Sequence, residues 1–233
     1  MQRVEQTPID LEALLLFGSR ARGDHSPSSD IDLLAITDTA EPTVSGSKSA
    51  SMYQYNRKWL QQKCADGDLF LWHVVSEATP VYDPADLLGE LRQNFQLSKN
   101  YQDKVEHASD VAWMMLSARP ELAPATANRW LAWSVRTISI AKAAQQKIPA
   151  FSSAALAEAL GWPLIVKLIG QKDVDHLEDA IAPILLDFLV HFGTPKPSLI
   201  EENLENFEEL FRRTKNAVGL SVISNAGADS GYV

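Results

Sequence analysis

The chain has 233 residues, 45% of them hydrophobic and 22% charged, which is enough to bury a core and more than one average domain needs. Its 30 acidic and 21 basic residues give a formal charge of −9, which repels a polyphosphate backbone and excludes a hold on long nucleic acid through bulk electrostatics. A single cysteine, Cys64, excludes an intrachain disulfide framework and a Cys-cluster zinc site, and points to a reducing compartment.

The first six residues lack the apolar stretch of a signal peptide, and the most apolar late segment, 180–192, is interrupted by Pro183, Asp187 and His191. These features predict a soluble, cytoplasmic protein with no membrane partner. Residues 1–100 carry 9 basic and 14 acidic residues, 101–191 carry 8 and 10, and 192–233 carry 4 and 6, so none of these segments is net basic and no arm for nucleic acid stands out.

The first hundred residues carry short apolar runs separated by Gly, Ser, Pro and Asp clusters, the pattern of a mixed α/β unit. Strands are expected at 11–17, 31–36, 50–55 and 69–75, with 80–82 returning, and a short helix at 56–65 before the Asp66-Gly67 turn. Beyond about residue 96 the period becomes helical: Leu97, Tyr101, Val105, Ala108, Ala112 and Met115 recur at steps of three and four. Further helices are expected at 125–146, after a cap at Ser152 or Ser153, and from Asp173 or Asp175 to Phe192 with a kink at Pro183. Thr194-Pro195-Lys196-Pro197 reads as a linker, and Ser198 with Glu201 has the capping-box spacing for a last helix ending near Gly219.

The expected fold class is therefore α/β (α+β), a small mixed sheet followed by an all-helical bundle. The expected divisions are 1–96, a helical domain at 97–193, linker and C-terminal helix at 194–219, and a disordered tail at 220–233.

Chemistry concentrates between residues 15 and 34. An apolar strand runs into Gly18-Ser19-Arg20-Ala21-Arg22-Gly23, a turn-rich stretch follows, and Ser29-Asp30-Ile31-Asp32 enters a second apolar strand. Residues two apart on a strand share a face, so Asp30 and Asp32 are expected side by side, with Ile31 and Leu33 turned into the core. Their Cα atoms would lie roughly 6.5–7 Å apart, from about 3.3 Å of rise per residue. Carboxylates at that spacing can hold Mg²⁺ ions about 3.5–4 Å apart, as in phosphoryl transfer. Left empty they would repel each other, which makes a cation their natural partner. Gly18 lets backbone come close to a phosphate, and Ser19 offers a hydroxyl and an N–H. A helix opened by residues 19–22 would add an anion site, with Arg20 and Arg22 near it.

Gly18-Ser19, ten intervening residues and Asp30-Ile31-Asp32 resemble the signature of the polymerase-beta-like nucleotidyltransferases. Gly-Ser-Arg-Ala-Arg-Gly with Ser-Asp-Ile-Asp-Leu is most similar to their small bacterial members, the minimal nucleotidyltransferases and aminoglycoside adenylyltransferases. The resemblance implies transfer of a nucleoside monophosphate, AMP from ATP first, to a hydroxyl of a small molecule or protein, with release of pyrophosphate. It implies Mg²⁺, or Mn²⁺ in its place, on Asp30 and Asp32, and nucleotide contacts from Gly18, Ser19, Arg20 and Ser29. It also implies a third carboxylate on a later strand that helps deprotonate the acceptor.

Residues 50–55 contain no acid, so Asp68 before the expected 69–75 strand is favoured for that place over Glu77. His73 reads first as a half-buried strand histidine and second as a base. Only about ten residues precede the first strand, and the helix from Ser198 is a candidate cover for the exposed sheet face. Arg129 and Arg136 share a helix face with Trp130 and Trp133 nearby, and pairing with surface acids is favoured over ligand binding. A substrate cleft between the sheet and the helical domain is expected. The competing reading is a nucleotide-binding or protein-interaction module, antitoxin-like, that keeps the fold without turnover.

Overall fold

A computed structural model of the chain describes residues 10–27, 29–47, 49–118 and 121–225. The opening residues read above for a signal peptide lie outside them, as does 226–233 of the expected tail. The chain divides into two compact units, one running to Ser98 and the other starting at Lys99.

The first unit begins with β1 (Leu11–Phe17), whose alternating burial shows a strand with one face in the core. A single turn of helix, α1 (Gly18–Arg22), follows, then β2 (Ile31–Thr37), β3 (Thr43–Ser47) and β4 (Ala50–Tyr55). Next come α2 (Arg57–Asp66), α3 (Leu69–Glu77), β5 (Thr79–Tyr82) and α4 (Leu87–Asn94). The sheet order is β3-β4-β2-β1-β5, with β2 and β4 parallel and the other pairs antiparallel. Strand β3 was not expected: all five of its residues, Thr-Val-Ser-Gly-Ser, are exposed, so no apolar alternation marks it.

The expected 69–75 strand is instead helix α3. Asp68 caps it, its Oδ1 accepting from Phe70 N–H at 2.9 Å and Leu71 N–H at 3.4 Å. Gly67 precedes it in a left-handed conformation where a Cβ would strike the backbone at 96–98. A short apolar run cannot by itself tell a buried strand from a buried helix, and here the cap decides. The core of this unit joins Ala13, Leu15, Phe17, Leu34 and Ile36 of the sheet to Leu60 and Cys64 of α2 and Leu71, Trp72, Val74 and Val75 of α3.

The second unit is helical. Helix α5 (Gln102–Ser117) starts later than the expected 97, and α6 (Pro124–Gln145), opened by Pro124, packs along it. Around α6 lie α7 (Ser153–Ala159), capped by the Ser152 hydroxyl on Ala155 N–H at 3.1 Å, and α8 (Ile165–Gly170) with a 3-10 turn at Gln171–Asp173. Buried Asn128 of α6 donates from Nδ2 to the carbonyls of Val174 and His176, at 2.9 and 2.8 Å, so the 174–176 segment is bound as loop. The expected helix from Asp173 therefore starts only at α9 (Ile181–Phe192), and Pro183 falls in its first turn, where it costs no hydrogen bond and makes no kink.

Thr194 is tied to α5, its N–H donating to Ser109 Oγ at 3.1 Å and its carbonyl accepting from Trp113 Nε1 at 3.0 Å, so the linker begins held down. The single helix expected from Ser198 is two: α10 (Leu204–Thr214), capped by Asn203, and α11 (Ala217–Asn225). Lys215 turns left-handed between them, and Asn216 Nδ2 donates to His107 O of α5 at 2.9 Å. Their apolar stripe, Phe207, Leu210, Phe211 and Val222, is buried within this unit beside α5, so it is not the expected cover of the sheet. The helix through Val222 also corrects the expected disorder from residue 220. Among the described residues, no helix is long and apolar enough to cross a membrane.

Asp110 of α5 gives this unit a pH signature. Burial, and then Glu106 one turn away, push its carboxyl up to about 6 against partial relief from Arg213. The folded state thus holds this proton more tightly than the unfolded chain, so its contribution to stability is full at acid pH and is lost as pH rises from about 4 to about 6. Asp110→Asn should unfold at higher urea than wild type at pH 7.5, by about 1 kcal/mol after screening, with the gap closing near pH 4, as read by tryptophan fluorescence.

Candidate active site

Antiparallel pairing sets Phe17 opposite Asp32, and parallel pairing sets Ser51 of β4 on Asp32's other side. Directly paired residues share a face, so Asp32 lies on the same face as Phe17, Leu15, Leu34 and Ile36, the face covered by α3. The expected orientation is thereby reversed: Ile31 is 37% exposed, and the core residues on the Asp32 face are the ones two and four further along. Asp32 remains half-exposed because it stands at the end of that face, where β1 gives way to α1.

Gly18 occupies this corner. Its φ of +73° suits glycine, and a Cβ built on it would fall 2.5 Å from Asp32 Oδ2. Backbone and carboxylate are thus as close as the missing side chain permits. Any other residue here would put its Cβ against Oδ2, and carboxylate oxygens are the donors that suit a hard divalent cation.

Asp30 just precedes β2, half-buried like Asp32. Its backbone is fixed by Arg20, whose Nε donates to Asp30 O at 3.1 Å and Nη2 to Ser29 O at 2.7 Å. Arg20 was expected at the nucleotide; its guanidinium instead grips the loop that carries the first carboxylate. Ser29, expected beside it, closes a small turn, its Oγ accepting from Ser26 N–H at 2.9 Å and its N–H donating to Ser26 O at 3.0 Å. Ser19 is half-buried, and its carbonyl accepts from Asp24 N–H at 3.1 Å, folding the stretch after α1 back on itself.

Neither candidate for the third carboxylate joins Asp30 and Asp32 in a metal-holding group. Among the described residues no three His, Cys, Asp or Glu side chains are placed to hold a metal together. Asp68 caps α3 at the far end of the aromatic wall. Burial first and the Asp68 charge second raise the Tyr55 phenol and push the Cys64 thiol up to about 11. Tyr55 pairs with Ile36, four residues along β2 from Asp32, or about 13 Å at 3.3 Å per residue. Glu77, the other candidate, lies at the opposite end of α3. Its Oε2 accepts from Arg22 Nη1 at 2.6 Å and lies 2.5 Å from His73 Nε2. Burial opposes the charge of Arg22, but Asp24 and Glu77 more than offset it and hold the guanidinium pKa above its ordinary value.

The residue that sequence reasoning missed is Ser51, a buried hydroxyl beside Asp32 where an acid was sought. Nothing in an isolated strand serine signals that neighbour. The bland reading of His73 holds for its burial but not for its element: it is a helix residue, edge-on to the Phe17 ring at 5.5 Å.

Gly18→Ala should lower stability by about 1–3 kcal/mol, through left-handed strain and the contact with Asp32, and weaken divalent-ion binding measured by calorimetry.

Residues 4–75 match the model of the nucleotidyltransferase domain family. No curated protein matches the chain. Among solved structures, a nucleotidyltransferase-like protein from Exiguobacterium sibiricum 255-15 is similar at 16% identity, over 92% of this chain and 83% of that one, with a TM-score of 0.34. The segment from β1 into α3, with Gly18, Asp30 and Asp32 at its centre, is thus similar to the nucleotidyltransferase domain family, over less than half of the chain.

Proposed function

We propose that the protein transfers a nucleoside monophosphate, AMP from ATP first, to an acceptor hydroxyl on a small molecule or protein. The observation that carries this reading is the close approach of Gly18 to the Asp32 carboxylate, which brings the two halves of the Gly18-Ser19 and Asp30-x-Asp32 motif together at the end of a strand. In the reaction the acceptor oxygen bonds to the α-phosphorus, the bond from that phosphorus to the bridging oxygen breaks, and pyrophosphate leaves with the electron pair. The acceptor proton passes to water.

Asp30 and Asp32 would hold Mg²⁺, or Mn²⁺ in its place, and Gly18 with Ser19 would approach the triphosphate. The ion supplies positive charge beside the α-phosphate and the leaving pyrophosphate. Arg20 keeps Asp30 in position by gripping the two carbonyls before β2. The net charge of −9 favours a cationic small molecule or a protein hydroxyl over a long polyanion as acceptor, and a cytoplasmic setting suits an ATP-dependent reaction.

A second reading has one observation in its favour. Among the described residues no third acid joins the carboxylate pair, which suits a module that binds nucleotide without turnover. Calorimetry with ATP and Mg²⁺, followed by a pyrophosphate-release assay, separates the two: tight binding with no release selects the module.

Under the enzymatic reading, Asp30→Asn and Asp32→Asn should each lower pyrophosphate release by about a hundredfold or more, with unchanged circular dichroism. Asp68→Ser, which keeps a cap for α3, should retain activity within about threefold and lose at most about 1 kcal/mol of stability. A collapse of activity in Asp68→Ser would return that residue to the site.

A further inference from the structure

We propose that Glu77 and His73 of α3 are positioning residues for the nucleotide site, acting through Arg22 and Phe17 on the turn that carries Gly18 and Ser19. The inference rests on the transfer reading above and adds a set of residues to it. Its basis is a cluster that reaches Phe17, the strand partner of Asp32. Glu77, 8% exposed, brings one oxygen to Arg22 Nη1 at 2.6 Å and to His73 Nε2 at 2.5 Å. His73, 13% exposed, turns its ring edge to Phe17, the residue before Gly18 and the strand partner of Asp32. Arg22 also reaches Asp24 Oδ2 at 3.0 Å, just past the Gly23 turn that ends α1.

Helix α1 is five residues long and has no stability of its own. Its position is set at both ends. Arg20 ties it to the Asp30 loop and Arg22 ties it to α3. Without the second tie the turn could still pack, but Gly18 and Ser19 would lose the fixed relation to Asp32 that in-line transfer requires. A partly buried ion pair contributes little net stability over a neutral pair of the same shape, so its value here is orientation.

The test uses the full chain with ATP and Mg²⁺. Wild type, Glu77→Gln and the neutral pair Arg22→Gln/Glu77→Gln are compared for urea stability, ATP affinity, and kcat and KM of pyrophosphate release. Glu77→Gln should lose roughly tenfold or more in kcat with a smaller change in KM. The neutral pair should recover stability, since no charge is stranded, but not kcat. Glu77→Asp, which keeps the charge and draws it back, should fall between wild type and Glu77→Gln, and it serves if Glu77→Gln fails to fold. Hydrogen exchange should quicken at 18–24 in the impaired variants. Wild-type kcat in a folded Glu77→Gln, or kcat restored together with stability in the neutral pair, overturns the positioning role. Failure of the wild type to bind ATP and release pyrophosphate instead overturns the transfer reading, and this inference with it.

Discussion

The contact on which the site depends is that of Gly18 with the Asp32 carboxylate. It exists because β1 and β2 pair antiparallel with Phe17 opposite Asp32, so the chain leaves β1 beside the very residue that β2 presents there. A residue with a Cβ would have to push Asp32 aside or break the left-handed turn. The sheet thus delivers the carboxylate, and the absence of a side chain on Gly18 lets backbone lie against it. Everything nearby serves to hold that relation: Arg20 on the Asp30 loop, Phe17 under the α3 rings, and Ser51 flanking from β4.

Charge gives the same picture from another direction. The motif contains two arginines, and a sequence reader naturally assigns both to phosphate. In the structure both are engaged inside the protein, Arg20 with backbone carbonyls and Arg22 with Asp24 and Glu77. On the proposed reading a triphosphate at this corner of an acidic protein would meet carboxylates and engaged guanidiniums, and a divalent cation would offset its charge. The formal charge of −9 is compatible with a nucleotide site for that reason.

Much of this was legible in the sequence because its signals were local. Strands β1, β2 and β4, helix α6, and the Gly18-Ser19 and Asp30-x-Asp32 spacing each follow from a pattern a few residues wide. The misreadings share a different cause. Strand β3 has no apolar face to reveal, and 69–75 has an apolar run that suits either state, so the outcome rests on Asp68 and Gly67 upstream. The orientation of β2 was inverted because Ile31 and Leu33 look like core while the helix-covered face is the one through Asp32, Leu34 and Ile36. Asn128 and Asn216, which pin loops and helices together over long sequence separations, were invisible because partners 46 and 109 residues away leave no local trace.

Turning α3 from strand to helix changes the chemistry as well as the fold. A strand would have set Asp68 at the sheet edge and left Glu77 in a turn. The helix instead places the two acids nine residues apart at opposite ends of one rod, one capping its N-terminus and the other gripping Arg22. Neither joins Asp30 and Asp32 in a metal-holding group among the described residues, and both shape the surroundings of α1 or the wall behind it. A helix of five residues inherits its geometry from what its side chains hold. In α1 these are Asp32 through the bare face of Gly18, the Asp30 loop through Arg20, and α3 through Arg22. Small and basic residues, with no apolar period at all, are what such a helix needs, which is why the strongest functional signal in the chain lies where its secondary-structure signal is weakest.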